Sequence, residues 1–344
     1  MRPYEQVQTF SEKTRTPTLE SVFSNFISQC KTCFRFYAYF HVLFISFLSV
    51  QLLSFLLFFS YFSKSIACAS ALALFFLTLF SYFVLLFFFQ AKKPEQLLSI
   101  RNTLLHSCES ILTGKNSTDA PNLQLAKIVL KSADLLSQEE HHFYKEEALL
   151  SALTPLAGKC KIRLHWKNFL AMKEFLFSLS IEQITDEIKE NPLDLGAHAL
   201  LVETYLQYSL LYLPPDTASL PWMPTEYFSS IFHQKFLACS TRAIEECLIL
   251  QEYGEKNVWL YTELAKIYQL QGNAEKEIQS QEEIRSLSSN DPEVLFRLGI
   301  LYFKQGYNAK GLKIYEELKQ SFPKEAMQLI EHYPFSPFDE ISYT

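Results

Sequence analysis

The chain has 344 residues, 49% of them apolar, and a formal net charge of −6. The charge is partitioned: residues 1–35 carry +2, a long apolar stretch carries only Lys64, and residues 91–344 carry −9. An acidic soluble part without a basic footprint argues against nucleic acid as a partner, and with eight glycines the chain contains no phosphate-cradling loop, no G-x-S-x-G and no H-E-x-x-H.

Residues 1–35 form a polar segment rich in Ser, Thr and Gln. They are expected to be disordered as far as Leu19, with a helix from Glu20 leading into the apolar stretch. That stretch, residues 36–90, reads as two apolar runs, Phe36–Phe62 and Ile66–Phe89, around Ser63-Lys64-Ser65. At about 1.5 Å per residue the runs reach roughly 40 and 36 Å, enough to cross a hydrocarbon core about 30 Å thick. Backbone groups in lipid must be bonded within their own segment, so the stretch predicts a two-helix transmembrane hairpin. Lys31 and Arg35 before it and Lys92, Lys93 and Arg101 after it put both termini on the cytosolic side. The apolar run begins too late and is too long for a cleaved signal peptide, so the hairpin reads as a retained anchor.

Within the spans His41 and Gln51 are the strongly polar residues, and Ala67/Ala71 and Ala69/Ala73 form small-xxx-small pairs suited to close packing on the first span. Asn116-Ser117-Thr118 has the form of a glycosylation sequon but reads as a polar turn. Seven scattered cysteines do not make a disulfide framework, and reduced thiols are the expectation. Cys30 and Cys33, close to the membrane, are also candidates for lipidation, and their C-x-x-C spacing leaves metal or redox chemistry open.

Beyond Pro94 the pattern is helical to the end. Leu97 to Leu112 predicts one helix, Pro121 to Leu136 a second, and a third runs from about Gln138 toward Pro155 or Gly158. Glu139-Glu140-His141-His142, with Glu146 one turn on, has an E-x-x-H spacing, but a di-iron site needs a second copy, which the chain lacks. These side chains read as a solvated helix face. No catalytic residue, metal site or cofactor is assigned, and the chain is not expected to be an enzyme.

Residues 258–291 written above 292–325 show a 34-residue period: Leu264 over Leu298, Tyr268 over Tyr302, Gly272 over Gly306, Ile278 over Leu312 and Ile284 over Leu318. A fixed period of this size means stacked supersecondary units. The last unit, with Leu295, Leu298-Gly299, Tyr302, Gly311-x-x-x-Tyr315 and Pro323, resembles the tetratricopeptide repeat. The resemblance extends over 161–325 with falling specificity. In 258–291 the second helix carries Glu277, Gln281 and Ser289 at the family's small, aromatic and proline places, so it is expected to be well exposed or shifted in register. One period earlier Ala243, Cys247 and Leu250 stand at second-helix places and Leu201, Val202 and Tyr205 at first-helix places, separated by an insertion around 206–226 rich in proline. Trp166–Ser178 and Ile181–Glu190 read as an earlier helix pair. The fold class expected is therefore all-α, a transmembrane hairpin followed by a soluble domain, 91–344, built as a tetratricopeptide-like α-solenoid of antiparallel helix pairs.

The resemblance implies a concave groove lined by first helices. Its partner-binding places here are Trp259, Lys266, Phe296, Arg297, Ile300 and Phe303. Arg297 matches one place of the family's carboxylate clamp, whereas Phe296 and Ile300 fill the places of a Lys and an Asn. The implied function is that of a membrane-anchored helical-repeat adaptor binding a protein or peptide partner at the membrane surface. A polar start, a bilobed hairpin and a cytosol-facing helical domain also look like the inclusion-membrane proteins that chlamydiae export by type III secretion; the membrane is accordingly a bacterial inner membrane or a host inclusion membrane. A membrane-associated enzyme or transporter component with an unrecognised site is the alternative from another class. After Pro323 a capping helix, Lys324–His332, is expected with Ala326, Met327 and Ile330 on one face, followed by an aromatic tail, Tyr333 to Ile341, folded back near Phe296 and Phe303.

Overall fold

A computed structural model describes residues 18–57, 66–113, 120–145, 154–214, 229–254, 256–288 and 291–334. Among them are eleven helices and no strand. They are α1 (Leu19–Leu57), α2 (Ile66–Thr113), α3 (Pro121–Lys145), α4 (Thr154–Glu190), α5 (Leu195–Leu210), α6 (Ser230–Tyr253), α7 (Val258–Gln271), α8 (Ala274–Leu287), α9 (Pro292–Lys304), α10 (Asn308–Ser321) and α11 (Pro323–Ile330). The sequon, residues 58–65 with the expected turn Ser63-Lys64-Ser65, Glu146, most of the proline-rich insertion and the tail beyond Pro334 lie outside the described residues. The chain divides into two units within α4, after Gln183.

In the first unit α1 and α2 are long and apolar enough to cross a membrane. Tyr37 donates to Gln96 Oε1 at 2.7 Å, the His41 ring lies 3.1 Å from the Tyr82 hydroxyl, and Gln51 donates to Thr78 at 3.1 Å. Residues late in α1 thus meet residues early in α2, so the two helices run in opposite directions, and the polar side chains of the first span find partners on the second. Phe36, Phe40 and Phe44 meet Phe89 and Tyr82 along the same seam.

Residues 19–35 are more than a lead-in. Val22, Phe23, Phe26, Cys30 and Phe34 recur at three- and four-residue spacing and are buried, with Phe34 edge-on to Phe169 of α4 at 4.8 Å. Also buried in this unit are Leu97, Leu104 and Cys108 of α2, Leu125, Val129 and Leu136 of α3, and Ile162, Trp166, Phe169 and Met172 of α4. Ion pairs link its helices: Lys31 with Glu139 at 2.5 Å, the buried Lys173 with Glu140 at 2.5 Å, and Arg101 with Glu182 at 3.6 Å. Cys30, Cys33, Cys68, Cys108, Cys239 and Cys247 are free thiols, and Cys30 and Cys108 are fully covered.

Three helix divisions expected from the sequence are corrected here, the first being Leu97–Leu112, which is the end of the 48-residue α2 running through Pro94 rather than a separate helix. Residues 121–145 form one helix rather than two, because nothing between Leu136 and Gln138 interrupts it. Residues 166–190 likewise lie within the single 37-residue α4. They contain neither Gly nor Pro, and the apolar face of Phe169, Met172, Leu176, Leu179 and Ile184 continues without a break.

In the second unit, Ala243, Cys247 and Leu250 of α6 pack with Val202 and Leu206 of α5 and with Leu260, Leu264, Ile267 and Tyr268 of α7. Another cluster joins Ile278, Leu295, Leu298, Tyr302, Phe303, Ile314, Leu318, Ala326 and Leu329 from α8 through α11. The expectation that α8 is exposed or shifted does not hold. Glu277, Ser280 and Gln281 are buried beside Ile278 and Ile284, in register with the inward places of α10. In α11 the inward residues are Ala326 and Leu329, while Met327 points out at 71% exposure.

The 34-residue period is carried by geometry as well as by letters. Gly272 (φ 72°) and Gly306 (φ 77°) both end their helices in the left-handed region. The next amide returns to the same place each time, Asn273 N–H to Tyr268 O at 2.9 Å and Tyr307 N–H to Tyr302 O at 2.8 Å, the wide bond of a Schellman cap. Lys276 lies over the Tyr268 ring at 5.3 Å and Lys310 over the Tyr302 ring at 5.1 Å. A Cβ added at either glycine meets open space, so Gly272→Ala and Gly306→Ala each cost only the left-handed backbone conformation, about 1 kcal/mol. Amide hydrogen exchange in α7 and α9 is expected to quicken by roughly fivefold per substitution; unchanged exchange would show that these turns do not hold the pairs.

Candidate partner-binding face

The six places expected to line a groove fall into separate surroundings within the second unit. Trp259, in the first turn of α7, is 41% exposed and lines a cavity of about 290 Å³ with Leu195, Gly196, Ala199 and Gly254. It therefore belongs with the start of α5 and the end of α6. Lys266 is exposed two turns later, with its ammonium 2.7 Å from Glu263 of its own helix.

Phe296, Arg297, Ile300 and Phe303 lie on α9, where helical spacing sends them different ways. Phe303 is 3% exposed, and a Cβ on Gly311 of α10 would overlap its ring. Its place is the space left by that glycine, in the core of the α9–α10 pair. Phe296 and Ile300, one turn apart, are half-buried at the edge of the same cluster. The chain returns to them after α11: the His332 ring stands edge-on to Phe296 at 6.3 Å and Tyr333 edge-on to Phe303 at 5.3 Å. The described start of the C-terminal tail thus runs beside Phe296 and Phe303.

Arg297 is engaged inside the protein. It donates to Gln269 of α7 and, at 2.7 Å, to Glu277 of α8. Glu277 stands at a place that suits a small residue and is 5% exposed. A carboxylate there is stable only with a partner, and Arg297 supplies the charge while tying three helices together. Its guanidinium is accordingly committed to an internal carboxylate. Sequence reasoning selected Arg297 and missed Gln269 and Glu277 as its partners. The signal was a charged residue at an inward position, which calls for an opposite charge on the facing helix.

Compared with known proteins, the chain matches no family model and no curated protein.

Two further polar connections were not legible as pairs. His198 is buried, with Nδ1 2.6 Å from Glu246 of α6 and Nε2 3.1 Å from the Pro192 carbonyl. It fastens α5 to α6 and to the turn ahead of α5. In the earlier unit, Glu139 and Glu140 each take a lysine from a neighbouring helix, so both acids of the Glu-Glu-His-His run hold the first bundle together. Glu139 also borders a groove between α1 and α3 lined by Phe23, Ile27, Lys31, Arg35 and Lys131.

Tyr302 donates to Glu282 at 2.5 Å, and Lys310 reaches the same oxygen at 3.3 Å. The Tyr302 bond first, then Lys310 and Arg285, hold the Glu282 carboxyl below its ordinary 4.5 against partial burial. Burial first, and the Glu282 bond and charge second, push the Tyr302 hydroxyl above its ordinary 10.0. A depressed carboxyl contributes stability that is present above its unfolded pKa and is lost as pH falls through the folded value. A raised phenol contributes stability present below its unfolded pKa and lost as pH rises through the folded one. Thermal melts against pH are therefore expected to lose part of their acid limb in Glu282→Gln and part of their alkaline limb in Tyr302→Phe; limbs identical to those of the unmodified chain would show that this pair does not couple folding to pH.

Proposed function

We propose that the protein is a membrane-anchored helical-repeat adaptor, with Phe36–Phe89 as a two-span hairpin and the helix pairs α7–α8 and α9–α10 as units similar to tetratricopeptide repeats. The observation that carries the reading is the recurrence at 34 residues of the left-handed glycine, the return bond behind it and the lysine over the tyrosine ring. Units alike in geometry as well as in spacing stack by the same contacts, and stacked helix pairs present an extended face to a partner. On this reading α5 and α6 form a more divergent unit ahead of them, and α11 closes the array with Ala326 and Leu329.

The partner is a protein or peptide that meets the exposed edges of Phe296 and Ile300 and competes there with His332 and Tyr333. Arg297 and Phe303 serve the array rather than the partner, since one is paired to Glu277 and the other is buried against Gly311. The full chain carrying Phe296→Ala and Ile300→Ala is expected to capture its partner from its native cells about tenfold less well. Phe303→Ala serves as the contrasting case, losing about 3–5 kcal/mol of stability through the cavity it opens. Undiminished capture by the Phe296/Ile300 variant would exclude this face.

Both ends of the hairpin lie on one, cytosol-like side of a bacterial inner membrane or a host inclusion membrane. The opposite directions of α1 and α2 and the basic residues at both flanks support that reading. Reporters fused ahead of Met1 and after Thr344 are expected to report the same side; opposite sides would overturn the two-span anchor.

A further inference from the structure

The bare apolar surface of α1 and α2 stops at one level. On α1 Phe36 is exposed while Phe34, two residues earlier, is buried; on α2 Phe88 is exposed while Leu97 is buried. Lys31 and Arg35 precede Phe36, and Lys92 and Lys93 follow Phe89. At about 1.5 Å per residue all four therefore lie within roughly 8 Å of that level along the helix axes. Lys167 of α4 lies within electrostatic reach of Lys93, so the cations come from three helices.

Lys31 is matched by Glu139. Among the described residues Arg35, Lys92, Lys93 and Lys167 meet no carboxylate, and Glu95, the acid beside them on α2, is likewise in no ion pair. Two of the cations lean on rings instead: Lys92 sits over Phe88 at 5.4 Å and Lys93 over Tyr37 at 5.6 Å. That posture lays their stems on apolar surface beside the rings. Like charges fixed on rigid helices repel one another unless an anion is shared between them, and at the rim of a bilayer the abundant anions are lipid headgroups.

We propose that Arg35, Lys92, Lys93 and Lys167 form a collar that binds anionic lipid headgroups of the membrane holding the hairpin. The proposal rests on the membrane-anchor reading above. Its consequence is a shell of acidic lipid around the anchor, which seats the first unit against the bilayer.

The test uses the full chain in vesicles of phosphatidylcholine with about 20% phosphatidylserine, extracted with a polymer that keeps the lipid shell, in which the retained lipids are counted by mass spectrometry. Phosphatidylserine is expected to be enriched about two- to fivefold over the bulk and to fall toward the bulk ratio at about 1 M salt. Arg35→Gln/Lys92→Gln/Lys167→Gln is expected to abolish the enrichment. Lys304→Gln/Lys313→Gln/Lys324→Gln, the same charge change at exposed sites of the second unit, is expected to preserve it. No enrichment in the unmodified chain, or equal enrichment in all three proteins, overturns the collar. An alkaline wash of the same vesicles separates this failure from that of the anchor. A chain that stays with the pellet but shows no enrichment loses the collar alone, and one released by the wash loses the anchor and the collar together.

Discussion

The uncovered apolar surface of α1 and α2 governs everything around it. Among the described residues, twenty-one large apolar side chains between Phe36 and Phe88 stand exposed. At about 1.5–3 kcal/mol for each fully buried side chain, removing even half of that surface from water involves tens of kcal/mol. A folded domain is typically stable by only about 5–15 kcal/mol. No arrangement of the remaining chain that left these helices in water could offset such a term. The hydrocarbon surrounding proposed above would satisfy it, and would explain why His41 turns to Tyr82 and Gln51 to Thr78 rather than outward. Away from water a polar group needs an internal partner, and a facing helix is the available source.

Patterns that depend on local spacing could be read directly from the chain. The two apolar runs, the second-helix places of Ala243, Cys247 and Leu250, and the 34-residue return of Leu264, Tyr268 and Gly272 each follow from helical periodicity, whereas the caps that Gly272 and Gly306 form show only in the backbone. Helix boundaries in the middle of the chain were less legible. Polar clusters such as Gln138 to His142 look like interruptions, yet Glu139 and Glu140 face lysines of other helices and are as much at home in a continuous helix as apolar residues would be. The core face of residues 19–35 was hidden for a related reason. Ser, Thr and Gln between Val22, Phe26, Cys30 and Phe34 lower the average apolarity without disturbing the stripe.

The candidate face was legible as positions rather than as surroundings. A repeat alignment puts Phe296, Arg297, Ile300 and Phe303 on one helix, but it does not say which of them the neighbouring helices claim. Gly311 leaves a space that only a ring on α9 can fill, so Phe303 goes inward. Glu277 needs a cation, so Arg297 turns back toward α7 and α8. What α9 could offer the proposed partner is decided by these internal demands, and it narrows to Phe296 and Ile300, which the cluster leaves partly uncovered.

α2 continues as one helix of 48 residues from the apolar hairpin into the first bundle, passing Pro94 without ending. The proline removes one backbone hydrogen bond at that level, but α1 runs unbroken beside it and the Tyr37–Gln96 bond joins the two there, so the neighbour acts as a splint. With no flexible linker on either strand of the hairpin, the anchor and the bundle behave as a single lever. In a bilayer whose thickness does not match the spans, the helices adjust by tilting. If the proposed hairpin spans that bilayer, the bundle ends of the same two helices tilt through the same angle, so that bilayer thickness would set the attitude of the bundle.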